Sequence, residues 1–176
     1  MSSPTGARPR AVLIGPMGAG KTTVGRILAQ RWGVTLRDTD LDIEAAAGKT
    51  VQDIFVEEGE AAFRERERDA VAVALAEHEG VLSLGGGAVL DPSTQERLVG
   101  HDVVMLRVGL SDAVKRVGLE SGRPLLLGNV RGRIKQLLDE RAPIYEATAT
   151  VIVDTDGLGP GEVADAIEKE LPRDDH

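Results

Sequence analysis

An α/β domain is what this sequence predicts: a five-stranded parallel sheet flanked by helices on both faces. Three observations lead there. Short apolar runs rich in β-branched residues alternate with longer amphipathic stretches, the rhythm of successive strand–helix units. The apolar runs are almost continuously hydrophobic, as strands buried on both faces require. Finally, 176 residues suit one domain able to bury a full core, and the chain shows no fixed-period repeat or low-complexity segment.

Taken in order, "AVLIG" (11–15) reads as the first strand and residues 21–32 as the helix after it. "VTLRDT" (34–39) is the second strand, with a short helix starting just past it around Asp42 and Glu44. A longer helix covers 59–78, and "VLSLG" (81–85) forms the third strand. Pro92 suits the start of a helix over 92–99, where a missing N–H costs little. "VVMLRV" (103–108) is the fourth strand, and Ser111 is placed to cap a helix over 111–118. The next helix, 131–141, should end at Ala142, because Pro143 disfavours helical geometry in the residue before it; Arg141 then sits on the last turn. "VIVDT" (151–155) closes the sheet, and Pro160 introduces a helix over 161–170. The domain thus spans 10–172, with 1–9 and 173–176 expected to be disordered tails.

Composition narrows the function. Aromatic residues make up 2% of the chain, so the core must be Val, Leu, Ile and Ala. A net charge of −8 argues against a nucleic-acid partner, since a phosphate backbone demands a concentrated basic face. With no cysteine, disulfides, thiolate zinc sites and thiol nucleophiles are excluded, which suits a cytoplasmic protein. The run "AVLIG" is too short for a signal-peptide core or a membrane span, so no membrane association is expected.

"GPMGAGKT" (15–22) fits G-x-x-x-x-G-K-[ST] in full and lies between a predicted strand and a predicted helix, the context that gives the motif meaning. Its glycines let backbone N–H groups turn inward around an anion, and the helix N-terminus adds its positive end. In such a loop Lys21 reaches the β- and γ-phosphates of a nucleoside triphosphate and the Thr22 hydroxyl ligates Mg²⁺.

Phosphate loops serve switches, motors and small-molecule kinases. The guanine-reading N-K-x-D is absent, and "VIVDTDG" (151–157), though it imitates a strand followed by D-x-x-G, falls too late in the chain for a GTPase switch. A kinase needs a group for the metal, a group for the acceptor hydroxyl and a mobile cationic lid. "LRDTDLDIE" (36–44) offers the first two. Asp38 and Asp40, two apart at the end of the second strand, should leave on one face beside the phosphate loop. Asp42 and Glu44 lie past the strand, where solvent and a helix N-terminal dipole suit them; an entirely solvated acidic run is the alternative. Arg64 sits in "AAFRERERD", which alone reads equally as an exposed helix laced with pairs such as Glu60–Arg64. Three glycines in "SLGGGAVL" suit either a tight turn or backbone pressed against a ligand.

Together "GPMGAGKTT", "DTDLDIE", "IFVEEGEAAFRERE", "LSLGGGAV", "GRPLLLG" and "RAPIYEATA" resemble the shikimate kinase family, in its order and spacing, over residues 10–160 or so. The resemblance implies a nucleoside-monophosphate-kinase-like fold with a mobile lid, and transfer of the ATP γ-phosphate to the 3-hydroxyl of shikimate. It implies an acceptor segment over about 40–68 and a lid over about 119–133. ATP would lie on Gly15, Pro16, Met17, Gly18, Ala19, Gly20, Lys21, Thr22 and Thr23, with its adenine between Arg116 and Pro160. Some members carry an arginine two residues before that proline; here the position is Leu158. Asp40 would contact the acceptor hydroxyls as candidate base, while Asp38 and Thr22 help hold Mg²⁺. Arg64 and Arg141 would grip the substrate carboxylate, which guanidinium forks suit, with Glu67 orienting Arg64 and Gly85, Gly86 and Gly87 against the substrate. Arg123 in "GRPLLLGNVRGR" would fold over ATP and stabilise the transferring phosphoryl. A monomer binding ATP, Mg²⁺ and shikimate is the expectation. Rivals are a kinase for gluconate or a nucleotide, and a nucleotide-dependent switch. His78, His101 and His176 lack metal-ligand spacing and read as surface residues, and Trp32 and Tyr145 read as packing.

Overall fold

The computed structural model describes residues 8–16, 19–121 and 130–171, and only the backbone of 116–121 and 130. Both expected tails, the lid and Arg123 lie wholly or largely outside the described residues, as do Met17 and Gly18.

Five strands form one parallel sheet in the order β2-β3-β1-β4-β5. They are β1 (Ala11–Ile14), β2 (Leu36–Asp38), β3 (Val81–Ser83), β4 (Val103–Arg107) and β5 (Val151–Asp154). Helices α1 (Lys21–Trp32), α2 (Thr39–Ala47), α3 (Val51–Glu58) and α4 (Glu60–Glu77) come first; α5 (Pro92–Leu98), α6 (Leu110–Ser121), α7 (Val130–Thr148) and α8 (Pro160–Glu170) follow. Period-two alternation splits the core between the sheet's faces. Leu13, Val104 and Leu106 join α1 and α8 residues such as Leu28 and Ile167. Val12, Ile14, Val103 and Met105 join Val71 of α4, Leu98 of α5 and Tyr145 of α7. A smaller apolar cluster, Ile43, Ile54 and Phe63, ties α2, α3 and α4 into a unit beside the sheet edge.

The differences from expectation have local causes. β2 stops at Asp38 rather than 39, because the Asp38 carboxylate caps α2, accepting from the Asp40 N–H at 2.8 Å. The additional helix α3 is capped by Thr50, whose Oγ1 accepts from the Asp53 N–H at 3.1 Å. A single 3₁₀ turn, Ala88–Leu90, follows the three glycines. Helix α7 does not end at Ala142 but runs through Pro143 to Thr148. Burial of Tyr145 in the core, with Ile144 packed against the same cluster, outweighs the proline's preference. Nor are the histidines simply superficial: Nε2 of His78 lies between the carbonyls of Thr35 (3.1 Å) and Val81 (2.9 Å), joining β2 and β3 at their amino ends. His101 is half-buried, and burial holds its pKa below the usual value; His176 lies outside the described residues.

Candidate active site

The phosphate loop leaves the carboxyl end of the central strand. Gly15 has φ +144°, and a Cβ there would stand 2.6 Å from the Leu106 carbonyl oxygen, so only glycine lets β1 exit against β4. Gly20, at φ 93°, turns the chain into α1. Lys21, the first residue of that helix, folds its ammonium back over the loop, donating to the carbonyls of Gly15 (2.7 Å) and Pro16 (3.0 Å). The side chains of Thr22 and Thr23 follow, exposed at the positive end of the helix.

Asp38 and Asp40 do converge beside this loop, though not for the reason the strand period suggests. Asp40 lies in the first turn of α2, and the cap made by Asp38 holds the two acids together. Oδ1 of Asp40 is buried and has no hydrogen-bond partner among the described residues. Burial, reinforced by Asp38 and Glu67, pushes the carboxyl from 3.8 up to about 6, while Lys21 pulls the other way. The remaining acids have structural work. Asp42 pairs with Arg37 at 2.7 Å, and Glu44 accepts from the Val51 N–H at 2.9 Å, closing the start of α3.

Across the pocket, α4 presents Arg64 and Glu67 one turn apart. Nη1 of Arg64 donates to Oε1 of Glu67 at 2.6 Å, and the guanidinium lies over the rings of Phe63 and Phe55, 5.3 and 5.9 Å from their centroids. The Glu60–Arg64 pair read in the sequence also forms, at 3.6 Å, beside the contact with Glu67. Glu67 is 4% exposed; burial raises its pKa against the opposing pull of Arg64 and Arg141. The glycine turn fits between these groups. A Cβ on Gly85 would stand 2.7 Å from Oδ1 of Asp40 and 3.1 Å from Oε2 of Glu67. On Gly87 it would meet both terminal nitrogens of Arg64 at 2.6 Å. Gly86 accepts a hydrogen bond from the Tyr145 hydroxyl, and Arg141 lies beside that same hydroxyl.

Thus Lys21, Asp38, Asp40, Arg64, Glu67, the glycine turn and Arg141 share one region at the carboxyl ends of the strands, where a parallel α/β sheet binds ligands. Pro160 opens α8, past the end of β5, and is exposed; the Arg116 side chain is not among the described ones. The D-x-x-G look-alike has its acids engaged elsewhere. Asp154 takes a two-pronged bond from Arg107 (2.5 and 3.0 Å), and Asp156 accepts from the Gly109 N–H at 2.9 Å. Thr22 and Asp38 offer hard oxygen donors of the kind Mg²⁺ takes. Among the described residues no three acidic or histidine side chains gather into a metal cage, so the fit is to an ion completed by nucleotide phosphates and water. Tyr145 packs in the core as expected, and beyond packing its hydroxyl reaches the Gly86 carbonyl, which sequence reading did not anticipate. Its spacing of four from Arg141 was the available signal, hidden by the proline between them.

The shikimate kinase family model matches residues 17–172. A shikimate kinase of Thermobifida fusca is 61% identical over 166 residues, which covers 94% of this chain and 96% of that one. Among solved structures, a shikimate kinase from Acinetobacter baumannii in complex with shikimate superposes with TM-score 0.84 at 34% identity, covering 94% of this chain and 96% of its own. That from Bacteroides thetaiotaomicron gives 0.83 at 32%, with 92% and 97% covered. Six motifs in register, a parallel sheet with the phosphate loop at its centre and matches spanning nearly the whole chain lead to one conclusion: this protein belongs to the shikimate kinase family.

Proposed function

We propose that the protein transfers the γ-phosphoryl group of ATP to the 3-hydroxyl of shikimate, giving shikimate 3-phosphate and ADP in the route to chorismate and the aromatic amino acids. The observation that carries the reading is the buried oxygen of Asp40, left without a partner among the described residues, near the phosphate-loop Lys21 and near Glu67, on which Arg64 and Arg141 in turn act. A buried acceptor without a donor is costly, and a substrate hydroxyl would supply that donor.

In the reaction, Asp40 accepts the hydroxyl proton as the bond from O3 to the γ-phosphorus forms and the bond to the β–γ bridging oxygen breaks. A carboxyl held near 6 is still largely ionised at neutral pH yet takes a proton more readily than an ordinary aspartate. Lys21 and backbone N–H groups of the loop would hold the phosphates, with Gly15, Pro16, Met17, Gly18, Ala19, Gly20, Thr22 and Thr23 as the residues that would line them. Thr22 and Asp38 would hold Mg²⁺, which would supply positive charge to offset that of the phosphates. Arg64, fixed by Glu67, and Arg141 grip the acceptor carboxylate, and Gly85–Gly87 form the pocket floor. Arg123 would cover ATP and stabilise the transferring group, and Arg116 and Pro160 would flank the adenine. We read residues 10–172 as one kinase domain acting as a monomer in the cytoplasm, where ATP is at hand. No helix among the described residues is long and apolar enough to cross a membrane.

ADP release from Mg·ATP, followed with shikimate, gluconate or AMP as acceptor, tests this. ADP production should depend on shikimate; turnover on gluconate or AMP instead would discard the acceptor pocket, and hydrolysis indifferent to all three would leave only nucleotide binding.

A further inference from the structure

We propose that Tyr145 is a positioning residue for the acceptor carboxylate: its hydroxyl joins the glycine turn to Arg141 and holds both where an anionic ring is gripped. The inference rests on the acceptor pocket proposed above. Tyr145 is 1% exposed, the bulkiest of the fully buried side chains, and its ring is fixed in the cluster containing Ile14, Met105 and Ala88. A phenol buried this deeply needs partners for its hydroxyl. It donates to the Gly86 carbonyl, and the Arg141 guanidinium, one turn earlier on α7, lies near enough to act on it. Burial raises the phenol's pKa against the pull of Arg141, so the hydroxyl keeps the proton it gives to Gly86.

Helix α7 makes this possible by continuing through Pro143, which stacks Arg141 and Tyr145 on one face at a spacing of four. A helix ending at Ala142 would separate them. On the other side of the bond, Gly86 stands between Gly85, which faces Asp40 and Glu67, and Gly87, which faces Arg64. One hydroxyl therefore links the arginine on α7 to the turn that sets the other acceptor groups. Packing alone would be served as well by phenylalanine, and that difference is the test.

In Tyr145→Phe, KM for shikimate should rise about tenfold, with kcat and KM for ATP near wild type. With shikimate methyl ester, which gives Arg141 no carboxylate to grip, variant and wild type should be equal. A penalty of the same size on acid and ester, or a lowered melting temperature with unchanged KM, would overturn the proposal. The wild type offers a second readout that does not depend on the variant folding, because Tyr145 is the only tyrosine. Protein labelled with ¹³C at tyrosine Cζ gives one resonance, which should move on saturation with shikimate and stay in place with the ester. A resonance that shikimate leaves unmoved would overturn the proposal. Should shikimate be no substrate of the wild type at all, the acceptor-pocket reading fails first and this inference with it.

Discussion

Asp40 shows best how a single residue's surroundings set its chemistry. As the proposed proton acceptor it should be indispensable: Asp40→Asn should lower kcat by about a thousandfold while nucleotide affinity, measured by titration, stays near wild type. The same substitution should stabilise the protein. A carboxyl raised from 3.8 to about 6 binds its proton more tightly folded than unfolded, so its favourable contribution is complete below 3.8 and is lost as pH climbs through 6. Above that, in the absence of nucleotide and metal, the buried charge costs up to about 3 kcal/mol. Asp40→Asn should recover it in urea unfolding at pH 7.5, with the gain shrinking as pH falls from 6 towards 4; equal gains at all pH values would contradict this. Gly85→Ala is the steric counterpart, since its methyl would enter the space between Asp40 and Glu67. Shikimate turnover should be lost with nucleotide binding kept. The motif residues were legible as chemistry because lysine after glycines, paired aspartates and arginines near a glycine turn each have few uses. What misled was the geometry assigned to them. Asp38 and Asp40 meet through a helix cap, not strand alternation, because a short acid's local bond to backbone ended the strand.

Among the elements, all five strands lie where their apolar runs fall; burial on both faces leaves few other residue types possible in the central β1, β3 and β4, while the edge strands β2 and β5 are partly exposed. Helix ends were harder. α3 has eight residues and owes its start to Thr50 and to Glu44 from the preceding helix, a contact that no periodicity reveals. Thr50→Ala should cost about 1 kcal/mol of stability in urea unfolding, with little effect on turnover; no change would mean that Glu44 alone suffices. α7 passes Pro143 because tertiary packing of Tyr145 overrides a local rule. The turn from β1 into the phosphate loop is set by Gly15. Its positive φ and the nearby Leu106 carbonyl predict that Gly15→Ala costs at least about 2 kcal/mol and weakens ATP binding, measured by calorimetry.

Seen whole, the molecule builds its site from pieces distant along the chain. Strand order β2-β3-β1-β4-β5 sets Asp38 and Asp40 and the turn at 85–87 beside the central phosphate loop, and α4 and α7 lean in with Arg64 and Arg141. Alternation of strands and helices made the parallel sheet legible, but not this order, since non-local pairing leaves no mark on local sequence. Hence the expected pairing of Glu67 with Arg64, one turn apart on one helix, forms, whereas the bond from Tyr145 to Gly86, between distant segments, was not legible. On the function proposed, this arrangement directs one phosphoryl group to one hydroxyl of one acidic ring. Phosphorus and proton NMR of the product from Mg·ATP and shikimate tests it most directly. A single phosphate ester coupled to the proton on carbon 3 is expected, with ADP formed in equal amount; a phosphate on another hydroxyl, or ADP without any ester, would rule this reaction out.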